Sequence, residues 1–338
     1  MTATPAHPRF SFLTPAYGTE AYLPSTIESV LAQTSPEWEL VVVDNGNSDV
    51  ISAIVESYAH DSRIRLVRQE NRGYTGGVMA AAAVAHGDYL CVLDSDDQLM
   101  PRYVETVAAF LDADPDLDAV GCDAHLFVDS EERPSGRGYL HSTGTRLPSP
   151  RGERLTVADV LGGRVPYYTG AIRRDAWDAV AGYAPGVAGM DESVLIWLRL
   201  ADRFRVLVIP HRLARYRIRE TSLSRDPQKI EEFERCLTRT FEQFAQESGS
   251  PAHRAAIQRP LRRLRYHQAL RRARWSFLDG DVPAARRFAR EAFAYEHSAR
   301  AAAVVASLAV APRALSAAYP IKQRLAAAGR RLRPRIQA

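Results

Sequence analysis

Over the first 125 residues, short apolar runs alternate with amphipathic stretches, the pattern of strands and crossover helices in a parallel sheet. Phe10 to Leu13 and Leu40 to Val43 read as strands buried on both faces. Between them Leu23, Ile27, Val30 and Leu31 recur at helical spacing, with Ser25 and Thr26 placed as caps, which makes a βαβ unit. The alternation continues with a helix from Val50 to Tyr58, a strand at Ile64 to Val67, a helix at Val78 to Ala85 and a strand at Tyr89 to Leu93. A helix from Tyr103 to Leu111 and a strand at Ala119 to Cys122 extend the sheet.

From Asp129 to Arg154 the chain is rich in Ser, Gly, Pro and Arg, which predicts a long surface loop able to act as a lid. The segment Tyr167 to Gly182, a helix around Glu192 to Ala201 and a strand at Val206 to Ile209 then complete an α/β domain near Ser224. Beyond Asp226 the periodic segments are helical: Phe233 to Ala245, Ala255 to Phe277 and Val282 to Tyr295, with Gly280 between two of them in the manner of a helical-repeat hairpin. The expected organisation is an α/β domain over 1–225, divided into 1–125 and 126–225, followed by a basic helical domain over 226–338. Ala301 to Ala311 is apolar but too short to cross a bilayer, and would pack on the body, on a second subunit or on a membrane surface.

Composition adds three constraints. The 46% hydrophobic content supplies a sizeable core. Cys91, Cys122 and Cys236 are odd in number and lack C-x-x-C spacing, which argues against a disulfide framework or a zinc site. With no basic stretch leading an apolar run at MTATPAHPRF, the expected place is the cytoplasm, including the inner face of the membrane. The net charge of +4 is unevenly placed: residues 250–338 hold 19 Arg and Lys against 4 acidic residues, leaving the rest of the chain net negative. Those arginines are dispersed along helices rather than interleaved with exposed aromatics, so nucleic acid is not an expected partner. Contact with anionic lipid or pairing with a second copy through the C-terminal helices is compatible with them.

Four constellations carry candidate chemistry. Asp94-Ser95-Asp96-Asp97 follows an apolar strand, and three carboxylates in four residues repel one another unless a cation neutralises them. Mg²⁺ or Mn²⁺ suits such ligands and bridges to substrate phosphates, whereas the plainer alternative is an acidic turn before the helix near Pro101. Asp44 and Asn45 end another strand, where the Asn45 amide can read a pyrimidine edge; otherwise the segment is a turn with Asp49 capping the next helix. In Glu70 to Gly77, Gly73 and Gly76 permit close backbone approach to a ligand, and Arg72 is available for phosphate. In open α/β sheets ligands bind outside the carboxyl ends of the strands, so these segments can share one crevice. His125 and His141 lack metal-ligand spacing and read as structural or surface residues.

Taken together, these motifs resemble the inverting glycosyltransferase family 2, whose nucleotide-binding fold is called GT-A. The resemblance runs from Phe10 to Ser224. Pro15-Ala16-Tyr17 stands where the family has a Pro-x-Tyr lining the nucleotide, and Val43-Asp44-Asn45-Gly46 where it has Val-Asp-Asp-Gly. Asp94-Ser95-Asp96-Asp97 matches the Asp-x-Asp metal motif, and Asn71 to Gly77 looks like the form seen in rhamnosyltransferase-like members. Asn45 replaces the family's second Asp, and Met79 stands where an Asn is usual. By that resemblance Asp44 and Asn45 contact base or ribose, Asp94 and Ser95 lie along the donor, and Asp96 with Asp94 holds a metal bridging the diphosphate.

Gly189-Met190-Asp191-Glu192 and Trp197-Leu198-Arg199 resemble the family segment whose Glu-Asp pair opens a helix and supplies the general base. Here the order is inverted; Asp191 is preferred for its shorter side chain, and Glu192 is the rival. Tyr216-Arg217-Ile218-Arg219 with Ser222 and Ser224 resembles the terminal Tyr-Arg-x-His…Ser segment, where Arg217 or Arg219 holds the leaving diphosphate. The resemblance implies transfer of a sugar from a UDP- or dTDP-sugar to a hydroxyl of a glycan, lipid-linked or small-molecule acceptor. The alternatives are a non-catalytic sugar-nucleotide-binding protein and a sugar nucleotidyltransferase.

Overall fold

The computed structural model describes residues 7–128, 136, 138–183, 189–218 and 230–310. The chain divides into two compact units, Met1–Arg254 and Ala255–Ala338. In the first, β1 (Phe10–Ala16), α1 (Leu23–Leu31), β2 (Trp38–Asn45), α2 (Asp49–Glu56), β3 (Ile64–Gln69), α3 (Gly73–Val84) and β4 (Tyr89–Val92) alternate as expected, and all neighbouring strands among these four are parallel. The chain steps outward from β1 to β2 to β3, then returns to place β4 on the other side of β1. That reversal opens a crevice beyond the carboxyl ends of β1 and β4.

The rest of the sheet, beyond the parallel half read from the first 125 residues, is mixed. After β5 (Gln98–Leu99) and α4 (Tyr103–Ala113) come β6 (Ala119–Phe127), α5 (Tyr139–Ser142), β7 (Glu153–Arg154), α6 (Val157–Leu161), β8 (Tyr167–Arg173), α7 (Arg174–Ala179), α8 (Glu192–Arg203) and β9 (Val206–Arg217). The nine-stranded sheet has the order β3-β2-β1-β4-β8-β6-β9-β5, with β7 also on β9; β8 runs antiparallel to both neighbours, and β5 and β7 run antiparallel to β9. Helices α9 (Ile230–Glu247) and α10 (Pro251–Ala256) follow. The main core lies where Phe10, Phe12, Leu40 and Val42 meet Ile27, Val30, Tyr103 and Val107 from the helices. Alternate strand positions face this layer because successive side chains point to opposite faces.

Several local expectations change. α1 begins at Leu23 with Pro24 in its first turn, where a missing N–H costs nothing, so Ser25 and Thr26 lie inside the helix rather than capping it. The Ser25 hydroxyl donates back to the Tyr22 carbonyl at 2.8 Å, while Thr26 donates across to the Asp97 carbonyl at 2.7 Å. α2 is capped by Ser48, not Asp49, through a bond from the Ile51 N–H. α3 starts five residues before the expected Val78, because its glycines fit where side chains cannot: a Cβ on Gly76 would sit 2.5 Å from the Arg72 Cβ, and one on Gly77 2.7 Å from the Pro15 Cβ. The stretch expected to be loop holds α5 and β7, with Leu140 fully buried. β9 continues through Pro210 to Arg217, eight residues beyond its expected end.

The second unit contains α11 (Gln258–Leu278), α12 (Val282–Tyr295) and α13 (Ala299–Val310). Gly280 at φ +82° turns the chain between the first two, and Asp281 caps α12 by accepting from the Ala284 N–H at 2.9 Å. Buried Ala269, Ala273, Ala285, Ala289 and Ala292 let the helices approach closely. No helix among the described residues is long and apolar enough to cross a membrane.

Candidate functional site

Three strand ends meet at the crevice. β1 delivers Pro15, Ala16 and then Tyr17, which is 64% exposed and whose ring edge adjoins Gly46; a Cβ there would fall 2.9 Å from the Tyr17 Cδ2. β2 delivers Asp44 and Asn45, both buried. Asp44 accepts from the Ser48 N–H at 2.9 Å and the Ser52 hydroxyl at 3.1 Å, and pairs with Arg68 at 3.3 Å. Its carboxylate therefore braces the start of α2.

Asn45 is committed to the loop before α3. Its Oδ1 accepts from Gln69 Nε2 at 2.7 Å and the Arg72 N–H at 3.2 Å, and its Nδ2 donates to the Gly73 carbonyl at 2.9 Å and to Asn71 Oδ1 at 3.5 Å. In this arrangement the amide that was expected to read a base shapes the loop beside it, and all its hydrogen-bonding capacity is in use. Gly73 takes φ +72°, a conformation unfavourable for a residue with a Cβ. Arg72 and Gly73 are exposed at the start of α3, their own N–H groups donating to Asn45 Oδ1 and Asn71 Oδ1 at 3.2 and 2.8 Å.

β4 ends at Val92 and the acidic quartet follows. Ser95, Asp96 and Asp97 are buried and Asp94 is partly so. One carboxylate oxygen each from Asp94, Asp96 and Asp97 lies within 4.8 Å of the others. The loop is fixed from several directions: Ser95 shares a 2.9 Å hydroxyl contact with Thr19, the Arg217 N–H donates to Asp97 Oδ1 at 2.7 Å, and Arg217 Nε donates to the Asp96 carbonyl at 2.6 Å. The Arg217 guanidinium lies over the Tyr22 and Phe127 rings, 4.6 Å from each centroid. Sequence reasoning offered Arg217 or Arg219 to a leaving diphosphate; Arg217 is buried and holds the backbone of the acidic loop.

Asp191 stands just before α8 and caps it. Its Oδ1 accepts from the Val194 N–H at 3.1 Å and from the Ser193 hydroxyl at 2.6 Å, while its own N–H donates to Thr240 of α9 at 2.8 Å. Glu192 has no hydrogen-bond or ion-pair partner among the described residues. Two tyrosines connect this helix start with the acidic loop. Tyr183 stacks on Trp177 at 5.6 Å; burial, then the charges of Asp94, Asp191 and Glu192, push its hydroxyl well above its usual pKa. Tyr139 is held up in the same way by burial, with Tyr216, Asp191, Asp123 and Asp97 adding to it. The acidic loop and Asp191-Glu192 thus act on the same phenols, although 94 residues separate Asp97 from Asp191.

Tyr74 was part of the glycine-rich motif but had no assigned role. Its hydroxyl donates to Asp94 Oδ1 at 2.7 Å, and its ring, 42% exposed, lies 6.2 Å from that of Tyr183. Nothing local in the sequence announces this contact, although an aromatic beside glycines at a helix start was a usable hint. His125 lies on β6, where burial and then Arg212 lower its pKa, and His141 lies on α5. Arg219, Ser222 and Ser224 lie outside the described residues.

Known proteins place these features in context. The family model described as Glycosyl transferase family 2 matches residues 11–178. The glycosyltransferase GlyG of Streptococcus pneumoniae is 31% identical over 138 residues, which are 40% of this chain and 44% of that one. The chain therefore spans less than half the length of this curated relative. Among solved structures, S. aureus TarS in complex with UDP-GlcNAc superposes with a TM-score of 0.61 at 20% identity, over 88% of this chain and 84% of that one. The mannosyltransferase PcManGT from Pyrobaculum calidifontis, in complex with GDP-Man and Mn²⁺, gives 0.56 at 19% identity, over 90% and 81%. At such identities the structures establish the shared GT-A fold.

Proposed function

The chain belongs to glycosyl transferase family 2, and from that premise we propose that it moves a sugar from a nucleotide diphosphate donor to an acceptor hydroxyl by a single displacement that inverts the anomeric carbon. The observation that carries this reading is the gathering of Asp94, Asp96 and Asp97 outside the carboxyl end of β4, at the point where the strand order reverses. Pro15, Ala16, Tyr17, Asp44, Asn45, Arg72, Gly73, Gly76 and Ser95 surround the same strand ends and are the proposed walls of the donor site, Asn45 acting through the loop it shapes. Residues 1–225 are the proposed catalytic domain.

The three carboxylates fit a hard divalent cation. Metal–oxygen bonds of about 2.1 Å place donors on one ion at separations that a cluster closed to 4.8 Å reaches with small side-chain movements. Asp94 and Asp96 are the proposed ligands of Mg²⁺ or Mn²⁺, with Asp97 holding the loop through Arg217. A bound cation supplies charge neutralisation for the departing nucleotide diphosphate. The protein's own part is to hold the acceptor hydroxyl and take its proton. Asp191 suits that role because one carboxylate oxygen is fixed by the helix cap while Oδ2 carries no hydrogen bond among the described residues. Glu192, one residue on, is the competing base.

PcManGT and TarS were solved with guanosine and uridine sugar nucleotides respectively, so the donor base is best found by a panel. UDP, dTDP and GDP are to be compared by thermal shift with and without Mn²⁺; the expected result is stabilisation by UDP or dTDP that requires the ion, about 2.7 kcal/mol at 100-fold excess over Kd. Stabilisation by none of the three would sink the reading. Binding without slow donor hydrolysis or transfer would remove the enzymatic part.

A further inference from the structure

The helix start that carries Asp191 is completed from outside its own segment. In a full capping box the third helical residue returns an acceptor to the backbone N–H of the capping residue, as Asp159 does for Thr156 at α6. At α8 that third residue is Val194, whose side chain has no acceptor. The Asp191 N–H donates instead to the Thr240 hydroxyl of α9 at 2.8 Å.

Thr240 is fully buried, and its hydroxyl proton is already given to the Cys236 carbonyl, one turn back along α9, at 2.9 Å. Only the lone pairs of Oγ1 remain, and one of them meets the Asp191 N–H. The same two helices are tied a second time further along. Arg199 of α8 donates through Nε and Nη2 to the two carboxylate oxygens of Glu247 at 2.8 and 2.6 Å, while its Nη1 donates to the Val180 carbonyl at 3.1 Å. Between the two ties Phe241, Phe244 and Ala245 of α9 are buried. On the near side of Asp191, Arg239 lies against Gly189, where a Cβ would fall 2.7 Å from its Nη1. All of this lies beyond the residues 11–178 that the family model matches, and α9 lies beyond residue 225, yet in the same compact unit as α8.

We propose that Thr240 is a positioning residue for the proton-accepting carboxylate, so that the catalytic unit runs past residue 225 and includes α9. The inference rests on the reading of Asp191 as the base. Thr240 fixes the main chain of Asp191, while the Ser193 hydroxyl and the Val194 N–H fix its Oδ1. The residue is thus held at both ends, and the second carboxylate oxygen is left to take the proton. A base acts only within hydrogen-bond reach of that proton, so loosening its seat costs rate rather than donor affinity.

The test follows hydrolysis of UDP-glucose or dTDP-glucose by the full chain with Mn²⁺, water standing in for the acceptor, beside thermal-shift titration with the matching nucleotide. Thr240→Val keeps the shape and removes the hydroxyl. Its kcat should fall about tenfold, the worth of one hydrogen bond, with donor KM and nucleotide affinity unchanged. Thr240→Ser, which keeps the hydroxyl, should restore most of the rate. In an Asp191→Asn background Thr240→Val should cost nothing further, because residues that act as one unit are not additive. An unchanged rate in Thr240→Val, a loss that multiplies in that background, or a raised KM with kcat intact would overturn the proposal. If Thr240→Val does not fold, Glu247→Gln at the partly exposed second tie takes its place and should lower kcat about threefold, with the same lack of additivity. A slow Asp191→Asn beside a normal, folded Thr240→Val defeats this inference alone, whereas normal turnover by Asp191→Asn removes the base assignment and this inference with it.

Discussion

Two acidic sites, one at the start of β2 and one beyond the end of the parallel strand β4, are built in opposite ways. At the start of β2, Glu39 is a single carboxylate inside a ring of donors: the Ser11 hydroxyl at 2.6 Å, the backbone N–H groups of His86 and Gly87, and Arg65 at 3.5 Å. Beyond the end of β4, three carboxylates share a volume in which their oxygens close to 4.8 Å. The first site is complete within the chain. The second gathers like charges, whose mutual repulsion the proposed cation would relieve. A carboxylate encircled by donors stabilises the fold, whereas carboxylates gathered close to one another suit the proposed ligand.

The largest effect should come from breaking the second site. Asp96→Asn is expected to lower transfer about 10³-fold, because electrostatic stabilisation of a leaving group is commonly worth that much. Its melting temperature should hold or rise, since a repulsion has been removed. Steady-state transfer assays beside thermal unfolding check both halves. A large loss of stability with Asp96→Asn would make this site as structural as Glu39.

Next in size is the proton acceptor. Asp191→Asn keeps a good cap on α8 but removes the base, so kcat should fall about 10²-fold while nucleotide binding persists. Glu192→Gln should cost far less. The reverse ranking in initial rates would reassign the base to Glu192 and leave Asp191 as a cap.

Much of this contrast was readable along the chain, and the unreadable part has a physical cause. Four parallel strands and their helices showed because apolar runs and helical periods are local signals, and the acidic quartet stood out because it follows one of those runs. The direction of β8 and the pairing of the two-residue strands β5 and β7 were hidden, since such short segments have no period and orientation leaves no local mark. The capping box at Thr156 and Asp159 was a legible signal for α6 that composition obscured. Hidden most deeply were interactions that join distant segments: Thr26 to Asp97, Arg217 to Asp96, and the Tyr183 phenol under the charges of both Asp94 and Asp191. A motif announces which atoms are reactive; only tertiary packing decides what holds them.

Glu39→Gln is the counterpart test and should leave transfer near normal while costing about 1–3 kcal/mol of stability. Burial would raise the Glu39 pKa, but hydrogen bonds from Ser11, His86 and Gly87 outweigh it and hold the carboxyl below its usual range. A group with a depressed folded pKa stabilises fully above its unfolded value of about 4.3, and that contribution disappears as pH falls through the folded pKa. Urea unfolding of both proteins between pH 3 and 7 should therefore show a gap that is constant near neutrality and narrows in acid. A gap that widens in acid would refute the assignment.

The smallest effect sharpens the comparison most, because Tyr74 gives Asp94 one bond of the kind that surrounds Glu39. If that bond served the fold, removing it would lower the melting temperature. Tyr74 is exposed, however, and its ring lies 6.2 Å from that of Tyr183. Tyr74→Phe keeps the ring and deletes only the hydroxyl, so it should raise the donor KM about fivefold, the worth of one modest hydrogen bond, and leave stability unchanged. Tyr74→Ala, which removes the ring as well, should add to the KM effect. Should Tyr74→Phe instead unfold several degrees early with an unaltered KM, Asp94 would belong with Glu39 among the carboxylates the chain satisfies by itself, and Asp96 alone of the two proposed ligands would remain for a metal.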